Sequence, residues 1–171
     1  MSAFGAHPTT VGRRPTRLSM NMQVNIRIVG KPGRTGWEGD AYTVYSSRLK
    51  PHRVDLETTW HKDNKELVRG VEGDAAKGHF IVFLDPNGKT STSEDFEQNL
   101  FRWIEDGGSR TCFVIGGAEG LPWRLDEMRS FSQSHVLSLG QMTLTHQFAR
   151  VMLSEQIYRA AEIRKGTKYH K

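Results

Sequence analysis

A glycine-rich turn behind an unbroken apolar run is the first place in this chain where chemistry has room to happen. Cys112-Phe113-Val114-Ile115 leads directly into Gly116-Gly117-Ala118-Glu119-Gly120. Glycines in such a turn let backbone N–H groups approach a ligand closely. The pattern is neither G-x-G-x-x-G nor a phosphate-binding loop, since no Gly-Lys-Ser/Thr follows. Taken alone, a tight strand-to-helix turn is the simpler account. Other constellations are missing. The seven histidines are scattered without metal-ligand spacing, the single cysteine, Cys112, excludes an internal disulfide and a cysteine metal cluster, and no G-x-S-x-G elbow occurs. No metal site is expected. Lone histidines such as His79 read as structural or surface groups.

A second set of chemically able residues lies at the C-terminus. Arg150, Arg159, Arg164, Lys165, Lys168 and Lys171 face only Glu155 and Glu162 there, a local cationic excess suited to a phosphate backbone. The whole-chain charge says less. Residues 1–21 contain Arg13, Arg14 and Arg17 and no acid; removing them takes the net charge from +5 to +2. This stretch reads as a flexible leader or transit-type tail. It favours an organellar setting, chloroplast or mitochondrion, the alternative being a cytoplasmic protein with a disordered tail.

The elements that must position these groups follow from periodicity. Gln23–Val29 alternates as a strand, Glu38–Leu49 has weak helical character, Arg53–Trp60 alternates again, and Asn64–Lys77 is a polar helix. Phe80–Leu84 is a strand covered on both faces, ended by Asp85-Pro86-Asn87-Gly88. Ser91-Thr92-Ser93-Glu94 fits a capping box for a helix carrying Phe96, Leu100, Trp103 and Ile104 up to Gly107-Gly108. Cys112–Ile115 and His135–Leu139 are further strands. Thr145 should cap a helix running through Lys165 to Gly166. Alternating strands and helices define one α/β domain over residues 22–171 with a largely parallel sheet. The last helix is apolar on two sides, Phe148, Val151 and Met152 against Leu153, Ile157, Ala160 and Ala161. Either it packs on the sheet and a second subunit, or it is buried deeply in its own domain. No apolar run reaches the ~20 residues of a membrane span, so no membrane partner is expected.

Four motifs in order carry a family resemblance: Phe113–Leu121, then Leu137-Ser138-Leu139-Gly140-Gln141-Met142-Thr143-Leu144-Thr145-His146, then Glu155-Gln156-Ile157-Tyr158-Arg159-Ala160, and the terminal Tyr169-His170-Lys171. Together they resemble the RlmH-type pseudouridine N3-methyltransferases of large-subunit ribosomal RNA, in the SPOUT superfamily. A looser likeness extends back through Phe83-Leu84-Asp85 to about Met22.

That resemblance implies an α/β knot, in which a mostly parallel sheet is flanked by helices and the C-terminal segment forms a trefoil knot. Sequence pattern would not propose this, since true knots are almost absent from proteins. It implies S-adenosyl-L-methionine as cofactor, without metal, bound by Leu84, Gly116 and the loop Leu139, Gly140, Gln141, Met142, Thr143 and Leu144. It implies a substrate side made by Arg159, Tyr169 and His170, the three that would also serve catalysis, with His146 as an addition. It implies a homodimer acting on large-subunit ribosomal RNA in assembled ribosomes, methylating N3 of a pseudouridine. The alternative reading is a ribosome assembly factor that keeps the fold and RNA surface without transferring methyl groups; another RNA substrate, such as transfer RNA, is a third. The chain departs from the family pattern at Gly140, where a serine is frequent, and at Thr145, where a proline is frequent, which would leave the loop less rigid.

Overall fold

Alternation in β1 (Met22–Val29) sends Val24, Ile26 and Ile28 to one face, all buried, and the polar Gln23, Asn25 and Arg27 to the other. The computed structural model describes residues 21–32 and 36–170. The leader, apart from Asn21, and Lys171 lie outside the described residues. Helix α1 (Trp37–Leu49) leads through a single 3-10 turn at Pro51 to β2 (Val54–His61). Helix α2 (Asn64–Ala76) follows, with Asp63 as its N-cap accepting from the Glu66 N–H at 2.9 Å. Then come β3 (Phe80–Lys89), α3 (Ser93–Asp106), β4 (Arg110–Ile115), α4 (Leu125–Ser130), β5 (Ser134–Leu137) and α5 (His146–Lys165).

The five strands form one sheet in the order β2-β1-β4-β3-β5, and every paired neighbour is parallel. Parallel strands need crossover helices, and these cover both faces. On one face Ile26, Phe113 and Ile115 pack with Leu49, Phe96, Leu100, Trp103, Leu153 and Ile157 from α1, α3 and α5. On the other, Ile81, Phe83, Cys112 and Val114 pack with Leu67 and Val71 of α2 and Met128 of α4. Continuous burial of Phe80–Phe83 and Thr111–Ile115 explains why those strands read as unbroken apolar runs.

Three local expectations are corrected. The strand at Phe80 does not end at Leu84: its tail runs on, and after a register shift Lys89 pairs with Leu137. A Cβ on Gly88 would lie 2.7 Å from the Leu137 carbonyl carbon and 2.8 Å from the Val136 oxygen, so only glycine lets this tail pass so close over β5. The cap of α3 is Thr92, whose hydroxyl accepts from the Asp95 N–H at 3.1 Å; helix geometry sets the first turn one residue later than the Ser91 pattern implied. Helix α4 was not legible, being a single short stretch closed by the Glu127 carboxylate on the Arg124 N–H at 2.6 Å. One apolar side of α5 is satisfied within the chain: Leu153, Ile157, Ala160 and Ala161 are buried where it packs on α1 and α3. Phe148, at its first turn, remains exposed.

Candidate active site

The carboxyl ends of β3, β4 and β5 open into a cleft of about 510 Å³. This is where open α/β sheets place their ligands. Three chain segments build it. The β3 tail supplies Leu84, Asp85 and Pro86; the glycine turn supplies Gly116, Gly117 and Gly120; the loop between β5 and α5 supplies Leu139, Gly140, Met142, Thr143 and Leu144. The cleft is mainly apolar, and its volume is that of a small-molecule pocket.

Each segment is held by a local device. At the glycine turn, a Cβ on Gly116 would fall 2.6 Å from the Gly120 oxygen and 2.7 Å from the Leu121 nitrogen, so any side chain there would force the turn apart. In the third segment Ser138 brackets Gly140, its hydroxyl donating to the Gly140 carbonyl at 3.1 Å and accepting the Gly140 N–H at 3.2 Å. Thr145 caps α5 by accepting from the Phe148 N–H at 3.2 Å, a bond that proline at this position could not supply. Among the described residues, the N–H groups of Leu139, Met142 and Leu144 meet no protein acceptor. A loop that offers free backbone donors between apolar walls suits a flat heterocycle with acceptor atoms on its edge.

Of the residues expected at the cofactor, Leu84, Gly116, Leu139, Gly140, Met142, Thr143 and Leu144 line the cleft, while Gln141 does not. His146, expected on the substrate side, is also in its wall. Sequence reading missed Ile115, Leu121 and Ala149, whose apolar types read only as core.

The remaining expected residues come together elsewhere. Arg159 donates from Nη2 to the Glu155 carboxylate at 2.6 Å, and its guanidinium lies 4.9 Å from the Tyr169 ring centroid. The Tyr169 hydroxyl donates to the same carboxylate at 3.2 Å. The His170 ring spans Glu94, 2.9 Å from Nε2, and Arg159, 3.5 Å from Nδ1. Donation from Nε2 to Glu94 leaves Nδ1 as an acceptor toward the guanidinium. Tyr169 also meets Tyr158 edge to face at 4.9 Å, so the C-terminal residues are tied down rather than frayed. Burial, together with the Glu155 charge, pushes the Tyr169 phenol up to about 12. This cluster is distant from its own cleft: Ala149 and Arg159 lie ten residues apart on one helix, ~15 Å at 1.5 Å per residue.

Among the described residues no group of histidine, cysteine and carboxylate side chains could hold a metal ion, and no helix is long and apolar enough to cross a membrane. Fold and cleft together define an α/β protein with a ligand site at the strand ends. The sequence profile described as "Predicted SPOUT methyltransferase" matches residues 22–170, and the chain belongs to that family. It is 41% identical over 150 residues to the ribosomal RNA large subunit methyltransferase H of Protochlamydia amoebophila, covering 88% of this chain and 99% of that protein. It is 45% identical over 160 residues to the protein of the same name in Dinoroseobacter shibae, with 88% and 99% covered. Its identity to the one from Caulobacter vibrioides is 36% over 158 residues, again with 88% and 99% covered.

Proposed function

We propose that this chain is an S-adenosyl-L-methionine-dependent methyltransferase that modifies N3 of a pseudouridine in large-subunit ribosomal RNA, acting as a homodimer on assembled ribosomes. The observation that carries this reading is the cleft at the strand ends, where apolar walls flank a loop with free backbone donors. The names of the relatives, all large-subunit ribosomal RNA methyltransferases, support the same substrate class.

The cofactor, when bound, supplies an electrophilic methyl group on a sulfonium. The chain's own residues do the rest. Leu139, Met142 and Leu144 would offer their N–H groups to the adenine edge, and Leu84, Ile115, Leu121 and Leu144 would exclude water from around its ring. Most of the rate then comes from holding the acceptor nitrogen in line. Arg159 keeps Nε available for a phosphate while Nη2 holds Glu155 and Nη1 faces His170 Nδ1. Tyr169 holds its proton and serves as a hydrogen-bond donor and stacking surface, not as a base. His170, with Nε2 fixed by Glu94, would accept the N3 proton at Nδ1 once the substrate displaces the Arg159 Nη1 contact on that atom.

Arg159, Tyr169 and His170 stand ~15 Å along α5 from the cleft of their own chain, too far to share one substrate base with it. A second copy resolves this. Among the described residues five large apolar side chains are exposed; of these Trp37, Val44 and Phe148 lie on α1 and the start of α5, and Tyr169 lies beside the end of α5. A two-fold axis passing near Met152 would cover this surface and set the C-terminal end of one α5 against the first turn of the other. The partner's Arg159, Tyr169 and His170 would then face the cleft. The knot belongs to the same reading: the β3 tail crosses close over β5, and the Ser138 N–H donates to the Lys89 carbonyl at 3.0 Å, as expected where the chain passes through a loop.

The test is calorimetric titration with S-adenosyl-L-methionine beside a methyl-transfer assay on ribosomes lacking the modification. The expected result is cofactor binding with transfer to the pseudouridine. Ribosome binding without cofactor uptake would replace this reading with that of an assembly factor.

A further inference from the structure

Arg150, in the second turn of α5, is only 5% exposed, and among the described residues no acid lies within ion-pair distance of it. Its guanidinium is clasped between two aromatic rings, 4.5 Å from the Tyr42 centroid and 4.9 Å from that of Trp60. Among the described residues it forms no hydrogen bond and no ion pair; Nε is sealed from solvent without a partner, whereas the terminal nitrogens reach the surface. Glu38 of α1 acts on it only at longer range. The contrast with Arg27 is informative: that interior arginine grips Asp74 with two bonds, at 2.8 and 3.0 Å. Buried charges are ordinarily paired in this way, because desolvation is costly. Two stacked rings satisfy the faces of the Arg150 guanidinium and leave its N–H edge open.

The position of Arg150 on α5 sets it next to the cleft wall. His146 lies one turn earlier on the same side of α5, ~6 Å along the axis, and lines the cleft. The His146 ring and Trp60 meet over Gly30, where a Cβ would stand 3.1 Å from His146 Nε2 and 3.7 Å from Trp60 Cζ3. From the cleft the path therefore runs past His146 and Trp60 to Arg150.

We propose that Arg150 is an oxyanion-holding residue at the rim of the cleft, its terminal N–H groups taking a carboxylate or phosphodiester oxygen of a molecule bound there. Tyr42 and Trp60 fix the plane of the fork, so that a planar or tetrahedral oxyanion is met bidentately. The inference rests on the cleft being the ligand site proposed above. Two sources share this chemistry, the amino-acid end of the cofactor and the backbone of the RNA.

The experiment uses the nitrogen-15-labelled full chain with R150M and R150K. The Arg150 Nε–H resonance, assigned by its absence from R150M, is followed during titration with inorganic phosphate at constant ionic strength. A saturable shift is expected, and it would appear even in a chain that transferred no methyl group. If the source is the RNA, the slope of log affinity against log salt for a ribosomal hairpin falls by about one in R150M. If it is the cofactor, R150M weakens S-adenosyl-L-methionine about tenfold and leaves methylthioadenosine, which lacks the carboxylate, unchanged. Should R150M not fold, R150K must retain part of whichever affinity the wild type shows. A resonance indifferent to phosphate, with both affinities unaltered, would make Arg150 a packing residue and overturn the proposal.

Discussion

Tyr169 keeps its proton far above neutrality because burial and the Glu155 carboxylate both oppose the phenolate. Its ultraviolet titration, taken as wild type minus Y169F, should therefore centre near 12, whereas a step near the ordinary value of about 10 would refute the geometry. Replacement of His170 by alanine removes the proposed proton acceptor, and turnover should fall ~100-fold. Cofactor affinity should not change, since the cluster stands clear of the cleft in its own chain; loss of both together would indicate a collapsed C-terminus. A third residue-scale effect concerns acid. Burial alone would raise the Asp74 pKa, but the Arg27 hydrogen bonds and charge outweigh it and hold it below its ordinary value. A carboxylate depressed in the folded state contributes stability above its unfolded pKa of ~3.9 and loses it as pH falls through the lower, folded value. Below about pH 4 the wild type should thus lose stability that D74N never had, which urea unfolding between pH 3 and 7 would reveal. At pH 7, D74N should be destabilised by ~3 kcal/mol, because it leaves Arg27 half-buried beside a neutral amide.

Two elements owe their placement to single groups. Thr145 both ends the loop proposed to hold the cofactor and caps α5, so Thr145→Ala should cost ~1 kcal/mol. In a chain of this size that is a fall of ~2–4 °C in melting temperature, with loosened cofactor binding because the loop loses its anchor. Gly88 lets the β3 tail cross β5, and alanine there would have to displace backbone, not a flexible side chain. Gly88→Ala should therefore destabilise by more than ~1 kcal/mol and expose β5 amides to hydrogen exchange while leaving β1 and β2 protected.

At the scale of the whole molecule, shared sites can be tested by mixing subunits. A chain with Gly116→Val lacks a usable cleft, and a chain with His170→Ala lacks the substrate cluster, so each homodimer should be inactive. Exchange at equal concentration would restore about a quarter of wild-type activity, since half of the dimers are mixed and each mixed dimer has one intact site. No recovery on mixing would place each site within one chain. Phe148→Asp, on the exposed start of α5, should yield monomers by sedimentation.

The sequence by itself determined most of the elements, though not α4 or the tail of β3, and it determined the family. The N-cap at Thr145 and the stop at Gly166 were legible to the residue, because capping is a local hydrogen-bonding problem. The buried strands were legible because parallel strands covered on both faces must be apolar throughout. The glycine turn at Gly116 was legible as a place for close backbone approach, whereas Leu84, Leu139, Gly140 and Met142–Leu144 came from family motifs alone, since exposed backbone donors have no side-chain signature. What only the tertiary structure decided is juxtaposition. The Gly88 crossing is invisible in sequence because it is a close approach between segments nearly 50 residues apart. Which apolar side of α5 is covered within the chain was decided there too: α1 and α3 bury Leu153, Ile157, Ala160 and Ala161 and leave Phe148 exposed. The stranded charge of Arg150 is the clearest case: whether a buried arginine has a partner depends on which carboxylates the fold brings within reach, and among the described residues none comes within ion-pair distance.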